Sequence, residues 1–438
     1  MAHLTARGAY GDLARRYNRF PQGAPPTDLF FKILKMLFTE REAAAAALLP
    51  IRPFTARTAA RIWKTNEAEA LTTLEALAGR GLFLDIETRT GRRLFSVPPP
   101  MAGFFEFSLM RVRTDVDQKL LSELYWQYVT VEPDFFTALF SPAGGTQVGR
   151  AFVHEPALGP DISLHVLDYE QASEVIRSAR HRAVGLCYCR HKASHVSHAC
   201  DAPLDICLTF GATAQSLAKY GIARAVGVEE GLDLLRRSYE HNLVQFGENV
   251  RRQPSFICNC CGCCCEAMLA AKRLAFLHPV HTTNYIPRVD AALCTGCGKC
   301  VAVCPVEAMG LVAAGDPQRK ARKKARLDER ICLGCGVCVR NCGDKALALT
   351  PRKERVVTPA DSAERIVLMA VERGKLQDLI FDNRALWNHR AMAAVLGVVL
   401  RLPPLKQALA SRQLRSRFVD WALARQRRKP ASTAAPGR

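Results

Sequence analysis

Apolar positions recur every three or four residues between 27 and 78, the spacing of helices that bury one face. The pattern predicts helices over 28–38, 40–49, 56–63 and 67–78, with Thr55 and Asn66 as N-caps of the last two. Pro50 stops the second helix, and Gly79 with Gly81 ends the fourth. The period then changes to two. Segments 82–87 and 92–97 alternate around Thr88, Arg89, Thr90 and Gly91, which predicts a β-hairpin. Helical spacing returns over 101–140 with Phe104, Phe105, Phe107, Tyr125, Trp126, Tyr128, Phe135 and Phe136, read as core, and the turn residues of 141–145 mark a boundary. Beyond it the pattern predicts a strand over 147–154 and helices over 169–180, 214–220 and 231–243. After 350 the chain reads as amphipathic helix over 360–372 and 376–380. The apolar run 391–400 is too short for a bilayer, which needs about 20 residues. A basic helical stretch over 412–429 and a disordered tail over 430–438 follow.

The order helix, helix, helix, hairpin resembles a winged helix-turn-helix, a module common in DNA-binding regulators. The resemblance would make 67–78 the recognition helix and the hairpin the wing. That helix carries Glu67, Glu69 and Glu75 and neither Lys nor Arg. A helix in the major groove needs cations or amides toward phosphates and bases, so DNA is an unfavoured partner. Arg89, Arg92 and Arg93 of the hairpin are the residues left to meet phosphate. The alternative is an interaction or structural module.

Cysteine changes the picture. All 18 cysteines lie between 187 and 342, many of them adjacent or two apart, which argues for metal rather than disulfides and for a reducing compartment. The first group is Cys187, Cys189, Cys200 and Cys207, with Arg190, His191, His195 and His198 close by in sequence. The second, Cys258-Asn259-Cys260-Cys261-Gly262-Cys263-Cys264-Cys265, has six cysteines in eight residues. Buried cysteines serving as small apolar residues would instead be scattered among Ala, Val and Leu. These ten thiols suffice for two cubic clusters with two left over, for one cube plus a zinc, or for a larger cluster. Cys187, Cys189, Cys200 and Cys207 form a first candidate ligand set, or equally share a site with the later run; together with Cys258, Cys260, Cys261 and Cys263 they are the candidate ligands of a further metal site. The histidines are read as hydrogen-bond donors or surface residues before ligands.

A third pattern occurs twice: Cys294-x-x-Cys297-x-x-Cys300-x-x-x-Cys304-Pro305, then Cys332-x-x-Cys335-x-x-Cys338-x-x-x-Cys342. Residues 288–312 aligned on 326–350 share 11 of 25 positions, an internal repeat. Structural zinc favours two separated pairs over a triplet with a distant fourth ligand. Gly296, Gly298, Gly334 and Gly336 stand where a loop wrapping a small cube needs unusual backbone angles. Residues 286–350 resemble the two-cluster bacterial ferredoxin family. The resemblance implies a small α+β module of two βαβ-like halves holding two [4Fe-4S] clusters that pass single electrons. It further implies Cys294, Cys297, Cys300 and Cys342 around cluster 1, and Cys332, Cys335, Cys338 and Cys304 around cluster 2. Two features depart from the family. Gly343 replaces the proline after the fourth cysteine, and the halves are joined by a long linker with six cations in the eight residues 319–326. That stretch is read as a solvated basic loop, either solubilising or steering an acidic redox partner. Cys260-Cys261-Gly262 resembles a single copy of the CCG motif of heterodisulfide reductase subunits. The central region with the ferredoxin segment resembles the [4Fe-4S] dicluster proteins of anaerobes.

The net charge of +20 favours an acidic partner, whether protein, nucleic acid or anionic membrane. No apolar stretch of a secretory signal occurs in the first 26 residues, and the polar, proline-rich stretch after Arg15-Arg16 argues against twin-arginine export, so the cytoplasm is the expected location. Peripheral membrane contact through the basic C-terminal helices is a lesser alternative. Gly227 and Gly231 are isolated, and no glycine-rich dinucleotide fingerprint follows a strand. The expected architecture is α+β and multidomain. Its parts are a winged-helix-like and helical domain over 27–140, an α/β cysteine-rich domain over 146–282, a ferredoxin domain over 286–351 and a helical basic region over 360–429. The expected function is single-electron transfer between the ferredoxin clusters and a second cysteine-rich centre holding one or two further iron–sulfur clusters, or zinc. The alternatives are a reductase with its site at 258–265 and a redox-sensing regulator.

Overall fold

The structure is a computed structural model, and it describes residues 8–399 apart from 140–144, 160–162, 164–165, 275–279, 316–321, 357 and 383–386. Helices occupy Asp28–Leu37, Glu40–Ala47, Ala56–Trp63 and Glu67–Gly79, followed by an antiparallel pair, β1 (Leu84–Glu87) and β2 (Arg93–Ser96). Each helix begins at a side-chain cap, from Thr27, Thr39, Thr55 and Asn66 in turn, and Thr39 forms a capping box with Glu42. A helix at Ala9–Asn18 escapes the sequence pattern because the face it buries contains Arg16. That guanidinium donates to the carbonyls of Leu49 (3.1 Å) and Pro50 (2.5 Å) and lies 5.3 Å from the Phe20 ring. The aromatic stretch forms the core of this region, with Phe30 stacked on Tyr128 at 5.3 Å and Phe105 against Tyr125 at 4.6 Å.

The hairpin is a docking element. Buried Asp85 accepts hydrogen bonds from Arg93 (2.8 Å), Lys219 (2.6 Å) and Tyr220 (2.8 Å), and its backbone N–H donates to Ser216. Arg93 also pairs with Glu75, so this cation is committed inside the protein, while Arg89 and Arg92 stay exposed. Burial works against the Asp85 charge, but the Arg93, Lys219 and Tyr220 hydrogen bonds hold its carboxyl down at about 2.

The central region is built on a six-stranded sheet, ordered β3 (Gly149–Ala151), β7 (Val244–Glu248), β8 (Phe256–Cys260), β5 (Asp205–Phe210), β4 (Arg182–Leu186) and β6 (Arg224–Ala225). Every neighbouring pair is antiparallel, which corrects the α/β expectation. The helices Gly211–Lys219 and Val228–Glu240 join strands that run in the same direction without being neighbours, β5 to β6 across β4 and β6 to β7 across the sheet, so no two parallel strands pair. The strand expected over 147–154 shortens to three residues, and the helix expected over 169–180 becomes a 3-10 turn at Asp168–Glu170 and a helix at Ala172–Ser178.

The ferredoxin segment consists of two small sheets, β9 (Tyr285–Val289) with β12 (Leu347–Pro351) and β10 (Met309–Ala313) with β11 (Lys323–Leu327), and two short helices, Lys299–Ala302 and Val337–Arg340. Each sheet pairs a strand of one sequence copy with a strand of the other, so the halves interlock. The expectation of a basic loop over 319–326 is corrected for 323–326, which are part of β11; 319–321 lie outside the described residues. The C-terminal helices Ser362–Glu372 and Leu376–Ile380 fold back onto the body. Arg365 pairs with buried Glu248 at 2.9 Å, and Arg373 donates to the carbonyls of Pro21 and Leu139. Trp387–Val399 is helical, and the stretches expected over 412–429 and 430–438 lie outside the described residues. Among the described residues, no helix is long and apolar enough to cross a membrane.

Candidate metal centres

The interlocking of the two halves decides how the ferredoxin thiols group. Cys294, Cys297 and Cys300 line one cavity together with Cys342 of the second copy. Cys332, Cys335 and Cys338 line another together with Cys304 of the first copy. Backbone N–H groups point at the sulfurs: Ala325 to Cys294 (3.3 Å), Gly334 to Cys332 (3.4 Å) and Ala308 to Cys304 (3.2 Å). Such donors stabilise negative charge on thiolate ligands. Gly334 (φ 71°) packs so closely that a Cβ there would fall against the Tyr285 carbonyl. Four thiols around a cavity, with amides directed inward, fit a [4Fe-4S] cube in each half.

The ten central thiols are gathered by strand direction. β4 and β8 flank β5 and run opposite to it, so their C-terminal ends meet the start of β5 at one edge of the sheet. Cys187 follows β4, Cys207 lies near the start of β5, and Cys258 and Cys260 end β8, two apart and therefore on one face. Cys189 sits in the helix Tyr188–His195, and Cys265 caps Glu266–Arg273. Their thiols interact in a chain: Cys258 with Cys207, Cys207 with Cys187, Cys187 with Cys189, Cys189 with Cys265, and Cys265 with Cys260. Cys260 also feels the charge of Cys258, two residues away on the same face of β8, and this interaction closes the chain into a ring of six.

Cys200 parts from the other three members of its sequence group. It joins Cys261, Cys263 and Cys264, whose sulfurs all lie within 4.8 Å of one another. Cys264 is 3.6 Å from Cys263 and 3.9 Å from Cys200, and its thiol donates to the His198 carbonyl at 3.5 Å. Of the candidate ligands read from sequence, Cys187, Cys189, Cys207, Cys258 and Cys260 fall in the ring, and Cys200, Cys261 and Cys263 in the compact group. Cys264 and Cys265 complete these sets, although sequence reasoning left them out. The signal was present in the unbroken run to 265, but only the turn after β8 divides it between two sites.

Buried Arg190 stands between the two groups. Its guanidinium donates to the carbonyls of Pro203 and Asn259 and faces the sulfurs of Cys187, Cys207 and Cys261. Burial opposes its charge, but those sulfurs hold it above the ordinary arginine range. The Cys261 thiol is held down at about 4, first by the Cys264 thiol and then, against burial, by Arg190. The histidines stay out of both thiol sets. His191 bonds the Leu109 carbonyl at 2.7 Å and lies 3.3 Å from His195, and His198 stacks on Trp126. Next to the ring, Lys192 and Glu266 form a buried ion pair that also engages Tyr188 and Thr130. It fastens the helix carrying Cys189 to the helix that follows Cys265.

The cluster 2 side of the ferredoxin segment packs directly on these thiols. Cys332, Cys335, Cys260 and Cys265 belong to one buried apolar cluster with Ile286, Val306 and Leu333. A Cβ on Gly262 would come within 2.9 Å of the Pro305 Cα, so glycine lets the Cys261–Cys264 turn close onto the loop after Cys304. The thiol arrangement defines an iron–sulfur protein. Residues 293–346 match the 4Fe-4S dicluster domain family, a match confined to the ferredoxin segment. No curated protein and no solved structure matches the chain.

Proposed function

We propose that the protein transfers single electrons, taking them up or releasing them at the exposed end of the ferredoxin segment and exchanging them with a metal centre in the six-thiol ring. The observation that carries this reading is the shared core of Cys332 and Cys335 with Cys260 and Cys265. [4Fe-4S] clusters, when bound, supply low-potential single-electron chemistry. The chain supplies a graded path: Cys297 is exposed, Cys332, Cys335 and Cys338 are buried, and the ring lies behind them. Ile286, Val306 and Leu333 keep water out of the passage between them. Around the exposed end stand Lys299, Arg322 and Lys323, and Arg322 donates to the Cys294 carbonyl at 3.2 Å. This basic rim suits an acidic redox protein, steered to the side where electrons enter. Reduced thiols in this number suit the cytoplasm.

The test is a reductive titration of the full chain, purified without oxygen, followed by EPR with iron and labile sulfide measured. The reading requires more than about eight irons per chain and a further signal beyond the ferredoxin pair. About eight irons with only ferredoxin-type signals would sink it, because the ring would then hold no redox cluster.

A further inference from the structure

The two central thiol groups differ in shape, and shape decides what each holds. A single tetrahedral ion with metal–sulfur bonds of about 2.3 Å needs its four sulfurs about 3.8 Å apart. Cys200, Cys261, Cys263 and Cys264 meet that demand, with sulfur separations of 3.6 Å and 3.9 Å at Cys264 and all four within 4.8 Å. A cube instead spreads its ligands over the corners of a body larger than one ion. The eight ferredoxin thiols line such cavities, and among the described residues neither they nor the six ring thiols converge on one point as these four do.

We propose that Cys200, Cys261, Cys263 and Cys264 hold one zinc ion, separate from the iron–sulfur clusters. The four donors are all thiols, tetrahedral S4 sites take zinc or a single iron, and the divalent affinity order favours zinc over ferrous iron. On binding, all four donors are thiolates, and those still protonated release their protons to solvent. The resulting complex carries about −2 charge. Arg190, facing Cys261, offsets part of that charge without occupying a ligand position. The ion ties the turn after β8 to the loop bearing Cys200, 61 residues earlier (261 minus 200). It thereby fixes Gly262 against Pro305, next to the cluster 2 ligand Cys304. This deepens the electron-transfer reading by assigning the compact site a structural role and leaving redox chemistry to the ring.

The experiment is metal analysis and zinc X-ray absorption on the full anaerobic protein, alongside Cys200→Ser and Cys263→Ser. One zinc per chain is expected, with four sulfur neighbours at about 2.3 Å and no metal neighbour. Both variants should lose at least nine-tenths of the zinc and keep their iron and labile sulfide. Wild-type protein without zinc overturns the proposal. So does a zinc shell of mixed N and O donors, or variants that lose a cluster's worth of iron while keeping zinc. Should a variant fail to fold, the wild-type absorption spectrum decides alone. The EPR titration of wild-type protein reports on the ring independently, so loss of one reading leaves the other standing.

Discussion

Glu266→Gln is expected to loosen the six-thiol ring without touching a sulfur. In the native protein the Lys192 ammonium is fully buried, paired with a carboxylate whose side chain is 3% exposed. Its other partners are weak: the Thr130 hydroxyl at 3.3 Å and the ring faces of Trp126 and Tyr188 at 5.2 and 5.5 Å. Neutralising Glu266 leaves a buried cation to those partners. Breaking a buried pair from one side costs about 3–5 kcal/mol, and the two cation–π contacts, already made in the native protein, offset none of it. The net loss should be about 3 kcal/mol. Replacing both partners, Lys192→Met with Glu266→Gln, removes the stranded charge and should recover all but about 1 kcal/mol. The assay is guanidinium unfolding of the anaerobic protein, with iron content read in parallel, because Cys189 and Cys265 separate when their helices do. The chain has several parts, so the transition that accompanies iron loss is the one to compare. A single variant within about 1 kcal/mol of wild type would refute the reasoning. A double variant no better than the single would do the same.

Gly334→Ala should abolish loading of cluster 2, seen as a fall in iron and sulfide, because the new Cβ meets the Tyr285 carbonyl. Gly91→Ala shares the positive φ but has open space around it, and should cost only about 1 kcal/mol with full iron content. Reversing charge at Lys299 and Lys323 to Glu should slow electron exchange with an acidic redox protein at low salt. Stopped-flow rates should converge with wild type near 1 M salt, where the Debye length is about 3 Å; a difference that persists there would rule out steering. Asp85 has a folded pKa depressed to about 2, so its contribution to docking the hairpin is complete above the unfolded value of about 4 and lost as pH falls through 2. Pepsin cleavage within 82–97, whose Leu and Phe side chains the enzyme prefers, should therefore rise between pH 4 and 2 in wild type and be high already at pH 4 in Asp85→Asn. Equal cleavage of the two proteins at pH 4 would contradict this.

The sequence by itself determined everything that depends on short spacing. Helices at 28–37 and 56–63 follow from apolar period and capping residues, and the ferredoxin segment follows from a cysteine pattern compact enough to wrap one cube. Arg16 hid its helix because a charged residue reads as exposed until its guanidinium finds the carbonyls of Leu49 and Pro50. Likewise, the basic stretch reads as a loop until 323–327 pair with 309–313. The partition of the ten central cysteines is a tertiary decision. They span residues 187–265, and which sulfur meets which depends on strand order, on β4 and β8 both running against β5, and on the turn at Gly262. Cys200 therefore leaves the three cysteines nearest to it in sequence and joins three that follow more than 60 residues later, because the sheet sets the neighbours there and chain proximity does not.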